Sequence, residues 1–490
     1  MKAAPRGFLA RVFLLFWLAP ALLVNPGGDV ISDALLATAV SVVDRGTVEL
    51  TPDSAIDLAV VGGRFVCGLE PGGWLAAVPY YALLRGVIAA VPRAWDRTYK
   101  PDRAAVPPQV TRREVYHLQV ALVWLLLAPL FALTAAMVAA YALRRGAPPA
   151  AALGVAAACA GGTLLAAYAP VYSRQALACL LAWGVVLARL LREERPPEPG
   201  EAFASGLVLG AAVMVNYQLV LLSALAGLWY LAACRGAGTR LAFASGAALA
   251  AAALGVLHWR LYGGPFTTGY ELRWWLTRPL VIPYHGAVYR TDDPAHAVFA
   301  FRAPSLSRLA VQAAGRFRGV FLFCPVLLAG FAGWAAAPRR DRATALLALG
   351  AFAAYMLFQA SLNPAYWPGV PFFFGPRYLM PALPLVALGL LHLDRRSRWL
   401  NAALVLTAAS VLINLSGAMY HDLFIATPYD DARLTRPLAY LAALVLERGP
   451  RVPLLDAYDA SRPAQWALLA AAGLAAWRLT AGALREARRG

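Results

Sequence analysis

Long apolar runs alternate along this chain with short breaks that carry arginine. Ten of these runs each read as one membrane-spanning helix: Phe8–Val24, His117–Leu143, Pro148–Tyr168, Gln175–Leu191, Leu241–Leu257, Val320–Ala337, Thr344–Leu362, Tyr378–Leu393, Leu400–Tyr420 and Pro463–Thr480. Most approach or exceed the roughly 20 residues that cross a bilayer. Phe203–Ala233 is too long for one ordinary span, and the polar triplet Asn216–Tyr217–Gln218 interrupts its middle, so it reads as two. The pattern therefore predicts an all-α polytopic membrane protein of about twelve transmembrane helices.

Between the first two spans lies a polar-apolar mixture, residues 25–116. Within it Val30, Ile31, Ala34, Leu35, Thr38, Ala39, Val42 and Val43 recur at helical spacing. A second stretch, Trp74–Val91, carries Pro79 and Arg85 and reads as a helix lying in the membrane interface. Three more polar segments separate spans: His258–Gln312, Asn363–Arg377 and His421–Arg462. Residues 1–420 form the membrane domain on this reading. Residues 421–490 are a further external segment with the last span.

Composition agrees with the pattern, since 60% of residues are hydrophobic and 14% charged. The net charge of +18 would suggest nucleic acid in a soluble domain. Here arginines crowd the short breaks, as cytoplasmic loops do, so the membrane accounts for much of it and no nucleic-acid partner is implied. Twelve spans put every short cationic loop and both termini in the cytoplasm, and the polar segments outside the plasma (inner) membrane. Phe8–Val24 follows Lys2, Arg6 and Arg11, and no small-x-small cleavage site precedes Asn25, so it reads as a retained signal anchor. Cys67 would be alone in its loop and the other four cysteines lie in or beside spans, which implies no disulfide framework. No Cys/His cluster has zinc spacing, and no P-loop or dinucleotide-binding glycine motif occurs.

The candidate chemistry lies on the external side. Asp29 and Asp33 are spaced i,i+4 just beyond the first span, on one face of the predicted helix. A carboxylate there can act as general base toward an acceptor hydroxyl; Asp29 can equally cap the helix after Gly27–Gly28. Glu70, in a turn before Pro71–Gly72–Gly73, is a possible second acid. Arg174 in YAPVYSR, His258 and Arg260 in HWRLYGGPFTTGYE, and Arg377 in FFFGPRYLMPALP are candidate ligands for a phosphate. Each has a plainer reading, as a snorkelling arginine or a helix-terminal cation. Tyr172, Tyr270 and Tyr378 accompany them as candidate substrate-lining residues, and Phe372–Phe374 would suit an isoprenoid chain. One base and one or two arginines suffice where the leaving group is a lipid phosphate, which needs cations rather than a general acid.

These stretches together resemble GT-C-fold glycosyltransferases, in the bacterial branch (family 39-like) related to protein O-mannosyltransferases and lipid A aminoarabinose transferases. The resemblance rests on the acid after the first span and, in order, on GGRFVCGLEPGGWLAAVPYY, LYGGPFTTGYE, RFRGVFLFCPVLLAG and FFFGPRYLMPALP. It implies inverting transfer of a sugar from a polyprenyl-phosphate carrier to an extracytoplasmic glycan, lipid or protein, with Asp29 as base. Many relatives carry two adjacent acids, whereas Val30 follows Asp29, which leaves open a second acid (Asp33 or Glu70) and a divalent metal that no motif supports. No other cofactor is implied. The rival readings are a flippase or transporter of lipid-linked saccharides, or an O-antigen ligase or polymerase. Acids clustered outside the spans, and a long external loop that comes early, count against these.

Overall fold

The computed structural model describes residues 6–25, 32–51, 57–91, 113–272, 281–284, 287–290, 303–315, 319–362, 374–393, 398–421, 436–457 and 460–489. The chain opens with α1 (Arg6–Leu22) and α2 (Ser32–Arg45). A small hairpin follows, β1 (Leu58–Val61) with β2 (Arg64–Cys67), paired Leu58 to Cys67 and Val61 to Arg64. Its two-residue turn is Gly62–Gly63, both with positive φ, as a tight hairpin between right-twisted strands requires. This hairpin was not predicted, although two glycines flanked by short apolar runs are its usual signal.

The interfacial helix predicted at Trp74–Val91 is α3 (Pro71–Ala90), an unbroken helix of 20 residues that is long and apolar enough to cross a membrane. Pro71 sits in its first turn, where no amide donor is needed, and Pro79 inside it removes one hydrogen bond without ending it. Helices α4 (Arg113–Leu122) and α5 (Ala128–Arg144) join through a π turn at Val123–Leu127 into one rod. Then come α6 (Pro149–Ala156), α7 (Leu164–Tyr168), α8 (Arg174–Leu190), α9 (Pro199–Val215), α10 (Val220–Ala233) and α11 (Ala237–Tyr262). A second hairpin, β3 (Val281–Tyr284) with β4 (Ala287–Arg290), precedes α12 (Leu306–Ala314), α13 (Val320–Phe323), α14 (Val326–Ala335) and α15 (Arg342–Ser361). The remainder is α16 (Leu383–Ala387), α17 (Arg398–Met419), α18 (Pro437–Arg448), α19 (Pro453–Ala457) and α20 (Arg462–Arg489). The last helix packs along α1, with Arg11 against Gly482.

Six helices among the described residues are long and apolar enough to cross a membrane; twelve such helices are not shown. Five more apolar segments fall short because the chain breaks them. The predicted third span is interrupted after the π turn Ala157–Gly161, the eighth at Cys324–Pro325, and the tenth alternates short 3-10 and α turns between prolines. Asn216 divides α9 from α10: its backbone is extended, and its side chain accepts from the Gln218 amide.

Direction through the bundle follows from close approaches. Gly206 fits between Phe243 and Ala247, Gly246 fits between Phe203 and Leu207, and Gly210 lies against Ala247 and Ala250. Sequence number rises together along both helices, so α9 and α11 run parallel and α10 returns between them. Small residues four apart on each helix permit this contact, which substitutes for hydrophobic driving force where the surroundings are already apolar. The splitting of 203–233 is therefore present as a reversal of the chain.

The charged loops sort by end. Arg145 pairs with Asp341 and, at 2.9 Å, with Glu193, while His392 lies 3.8 Å from Asp341. Loops after α5, after α8, before α15 and after α16 thus meet at one end, and all four were predicted to share a side.

Gly206→Leu or Gly246→Leu should destabilise the protein by roughly 3 kcal/mol, because a side chain there drives into backbone. Gly184→Ala, where an added Cβ meets nothing, should be neutral or gain about 0.5–1 kcal/mol. Thermal melting of the detergent-solubilised protein distinguishes the two cases.

Candidate functional site

At the end opposite Asp341, four segments converge on Glu70. The Gly68–Leu69–Glu70 turn leaves the first hairpin, and two backbone approaches fix its position. A Cβ on Gly269 would stand 2.6 Å from the Gly68 backbone, so Thr268–Glu271 can lie directly on that turn. A Cβ on Gly72 would stand 2.6 Å from the backbone of Met214 and Val215, so the first turn of α3 rests on the last turn of α9. The Val60 amide donates to Leu272, and the Tyr262 hydroxyl donates to the carbonyls of Cys67 and Leu69. Glycine is needed at both crossings because backbone meets backbone.

Glu70 is only 2% exposed and Arg174, at the start of α8, 8%. Arg174 Nε lies 3.1 Å from Glu70 Oε2, an ion pair by distance without hydrogen-bond alignment. The Tyr270 hydroxyl donates to Glu70 Oε1 at 3.0 Å and accepts from Arg174 Nη2 at 3.0 Å. The Tyr217 amide lies 3.4 Å from the same Oε1. One carboxylate thereby joins the hairpin turn, α8, the α9–α10 break and the segment after α11.

A second polar contact abuts the first. The Tyr217 hydroxyl lies 2.6 Å from His258 Nε2, and its ring packs edge-on against Tyr270. Which of the two groups donates follows the imidazole tautomer, since a neutral ring donates from one nitrogen and accepts at the other. His258 is buried and engaged, a support for Tyr217 rather than an open cation. Arg260, two residues on, lies about 200° around the helix and is exposed, so it does not join the cluster. Tyr172 is also buried, its hydroxyl donating to the Gly73 carbonyl at 2.6 Å, and it braces the start of α3.

Arg377 begins a 3-10 turn after Gly375–Pro376, with its guanidinium 5.1 Å from the Tyr378 ring centre. Tyr378 packs edge-on against Phe358 of α15. Three residues earlier, Tyr355 donates its hydroxyl to the Gln218 carbonyl at 2.8 Å, next to Tyr217. Residues three apart on a helix share a face, so α15 links the Glu70 cluster to Arg377.

Asp29 lies outside the described residues, as do Phe372 and Phe373. The residues described on either side of Asp29 belong to this end. The Asn25 amide donates to Pro170, four residues before Arg174, and Leu35 of α2 packs on Gly73. Asp33, in the first turn of α2, is buried. Sequence reading thus named Glu70, Arg174, Tyr270 and His258, which meet, but missed Tyr217, although it flagged the polar triplet that contains it. Among the described residues no three His, Cys, Asp or Glu side chains gather as a metal site would require. Comparison with known protein families and with curated proteins finds no match.

Removing one member of a buried ion pair leaves the other uncompensated, so Glu70→Gln or Arg174→Met should each cost about 3–5 kcal/mol. The double variant should lose much less than the sum, as a thermodynamic cycle on purified protein would measure. Cys67 is buried behind the same turn, and burial pushes its thiol up to about 12. The thiol therefore stays protonated up to that pH, and at pH 8 only about one molecule in ten thousand carries the reactive thiolate. Maleimide should label Cys67 only after unfolding; rapid labelling of folded protein would show that the hairpin opens.

Proposed function

We propose that this chain is a membrane glycosyltransferase of the GT-C kind, taking a sugar from a polyprenyl-phosphate carrier and passing it, with inversion, to an acceptor outside the plasma membrane. The observation that carries the proposal is the meeting of Glu70, Arg174, Tyr217, His258 and Tyr270 at one end of the bundle, the end at which Asn25, four residues before Asp29, is bonded to Pro170. A buried acid, a buried cation and three tyrosine or histidine groups drawn from distant segments are costly to assemble in an apolar protein, and such groups mark substrate paths. The arginine-rich loops gather at the opposite end, which by the positive-inside tendency assigns that end to the cytoplasm and this one to the outside. Twelve passes and cytoplasmic termini belong to the same assignment.

The reaction asks little beyond a base and cations. The acceptor oxygen attacks the anomeric carbon while its proton passes to a carboxylate, assigned to Asp29. The bond from the anomeric carbon to the phosphate oxygen breaks, and the carrier leaves with that electron pair. Arg377, braced by Tyr378 behind a Gly–Pro turn, is the cation for the departing phosphate. Arg174 is already paired and hydrogen-bonded, so its role is to hold Tyr270 and Glu70 in one geometry. Asp33, four residues after Asp29 in sequence, supports the base. His258 orients the Tyr217 hydroxyl. Arg260 keeps no role at the centre.

Reconstitution with a panel of polyprenyl-phosphate sugars tests the proposal. Transfer should occur from at least one donor, and Asp29→Asn should lower its rate by about 100-fold or more, the scale of losing a general base. Unchanged transfer by the variant removes Asp29 as base. Movement of lipid-linked sugar across the bilayer without transfer from any donor makes the protein a flippase.

A further inference from the structure

Between the Glu70 cluster and Arg377 lies a set of buried amides that the mechanism above does not use. We propose that Asn216 and Gln359, beside the paired Gln175 and Gln218, form a floor that binds hydroxyl groups of the donor's sugar ring; this rests on the glycosyltransferase reading.

Asn216 is fully buried. Its Oδ1 accepts from the Gln218 amide, which fixes the side chain, while Nδ2 has no hydrogen-bond partner. Gln359 on α15 is 2% exposed, and its Oε1 has no partner either. Gln175 Nε2 donates to Gln218 Oε1 at 3.1 Å, so these two amides are joined by a hydrogen bond.

The Tyr355 hydroxyl on the Gln218 carbonyl sets the level at which α15 and α10 touch. Toward the Glu70 end, α15 reaches Gln359 one turn later, and the other chain reaches Asn216 at its break. Tyr217, between Asn216 and Gln218, is the residue whose amide faces Glu70. Asn216 and Gln359 thus each lie within about one turn of that contact, and Phe358, next to Gln359, packs on Tyr378.

The pairing of atom types identifies the ligand chemistry. Nδ2 of Asn216 is a donor in need of an acceptor, and Oε1 of Gln359 is an acceptor in need of a donor. A hydroxyl is both, and a sugar ring offers several. Native proteins rarely leave such atoms buried without partners, since each loses its hydration and gains nothing. A phosphate would answer only the donor, and an isoprenoid chain neither. The amides thus suit the neutral, hydroxyl-rich part of a lipid-phosphate sugar, between a carboxylate wall and a cationic one.

Melting temperature and binding of full-length protein test this, with undecaprenyl phosphate alone and its mannose, glucose and arabinose conjugates as probes. Wild type should bind at least one conjugate more tightly than the bare carrier. Gln359→Met, close in size but without amide atoms, should weaken that conjugate by about tenfold, as expected for one or two lost hydrogen bonds, and leave the bare carrier unchanged. It should also melt higher than wild type without ligand, because the orphaned acceptor is gone. Should Gln359→Met fail to accumulate, Gln359→Ala gives the same comparison of conjugate with carrier. Full retention of the preference for the conjugate would mean that the amides hold water only, overturning the floor while the enzyme reading stands. A lower melting point for unligated Gln359→Met would mark Gln359 as a strut and also overturn it. If wild type preferred no conjugate to the bare carrier, both the floor and the donor assignment would fall.

Discussion

A carboxylate cannot sit uncompensated inside an apolar bundle, and the placement of Glu70 follows from that constraint. Water is excluded, so its charge must be met by Arg174 and its lone pairs by donors from the chain. Satisfying it requires the hairpin turn, the start of α8, the α9–α10 break and the segment after α11 to arrive at one point. Little of this arrangement is hydrophobic in origin. In a protein whose surroundings are already apolar, polar satisfaction and close backbone contact are what distinguish one packing from another.

The glycines complement the ion pair. Gly68 with Gly269, and Gly72 with the end of α9, let backbones touch at the site; Gly206 and Gly246 do the same deeper in the bundle. The first pairs bring the donors within reach of Glu70, and the second fixes the helix that carries His258. At the other end, Asp341 plays a similar part for Arg145 and the loops around it. The bundle is thus tied at two charged ends with small-residue contacts between, and the cluster of tyrosines and His258 gathers at the Glu70 end.

Much of the helical layout was legible because a run of apolar residues has only one way to behave in lipid. Asn216 was readable as a break for the complementary reason, a polar triplet in an otherwise apolar run. Pro79 and Arg85 favour an interfacial reading of Trp74–Val91, yet the helix there is unbroken and by length and composition could also cross, since one internal proline costs a long helix little and an arginine can snorkel. Among site residues, Glu70, Arg174 and Tyr270 were singled out from separate stretches, and they meet. Arg260 lies outside the cluster because, two residues beyond His258, it faces another way round the helix. Tyr172 is buried with its hydroxyl on the Gly73 carbonyl. Gln359 gave no signal at all, because a lone glutamine in an apolar helix says nothing about its neighbours until α10 is seen against α15.

A structure determined by electron cryomicroscopy in lipid nanodiscs, with a bound polyprenyl-phosphate sugar, shows which end of the bundle receives the lipid. If the Glu70 end does, the phosphate lies at Arg377, the sugar between Glu70 and Gln359, and the isoprenoid tail runs along the bundle into lipid. Density for the lipid at the opposite end, in the groove lined by Arg144 and residues 190–195, with the Glu70 end unoccupied, would overturn the proposal.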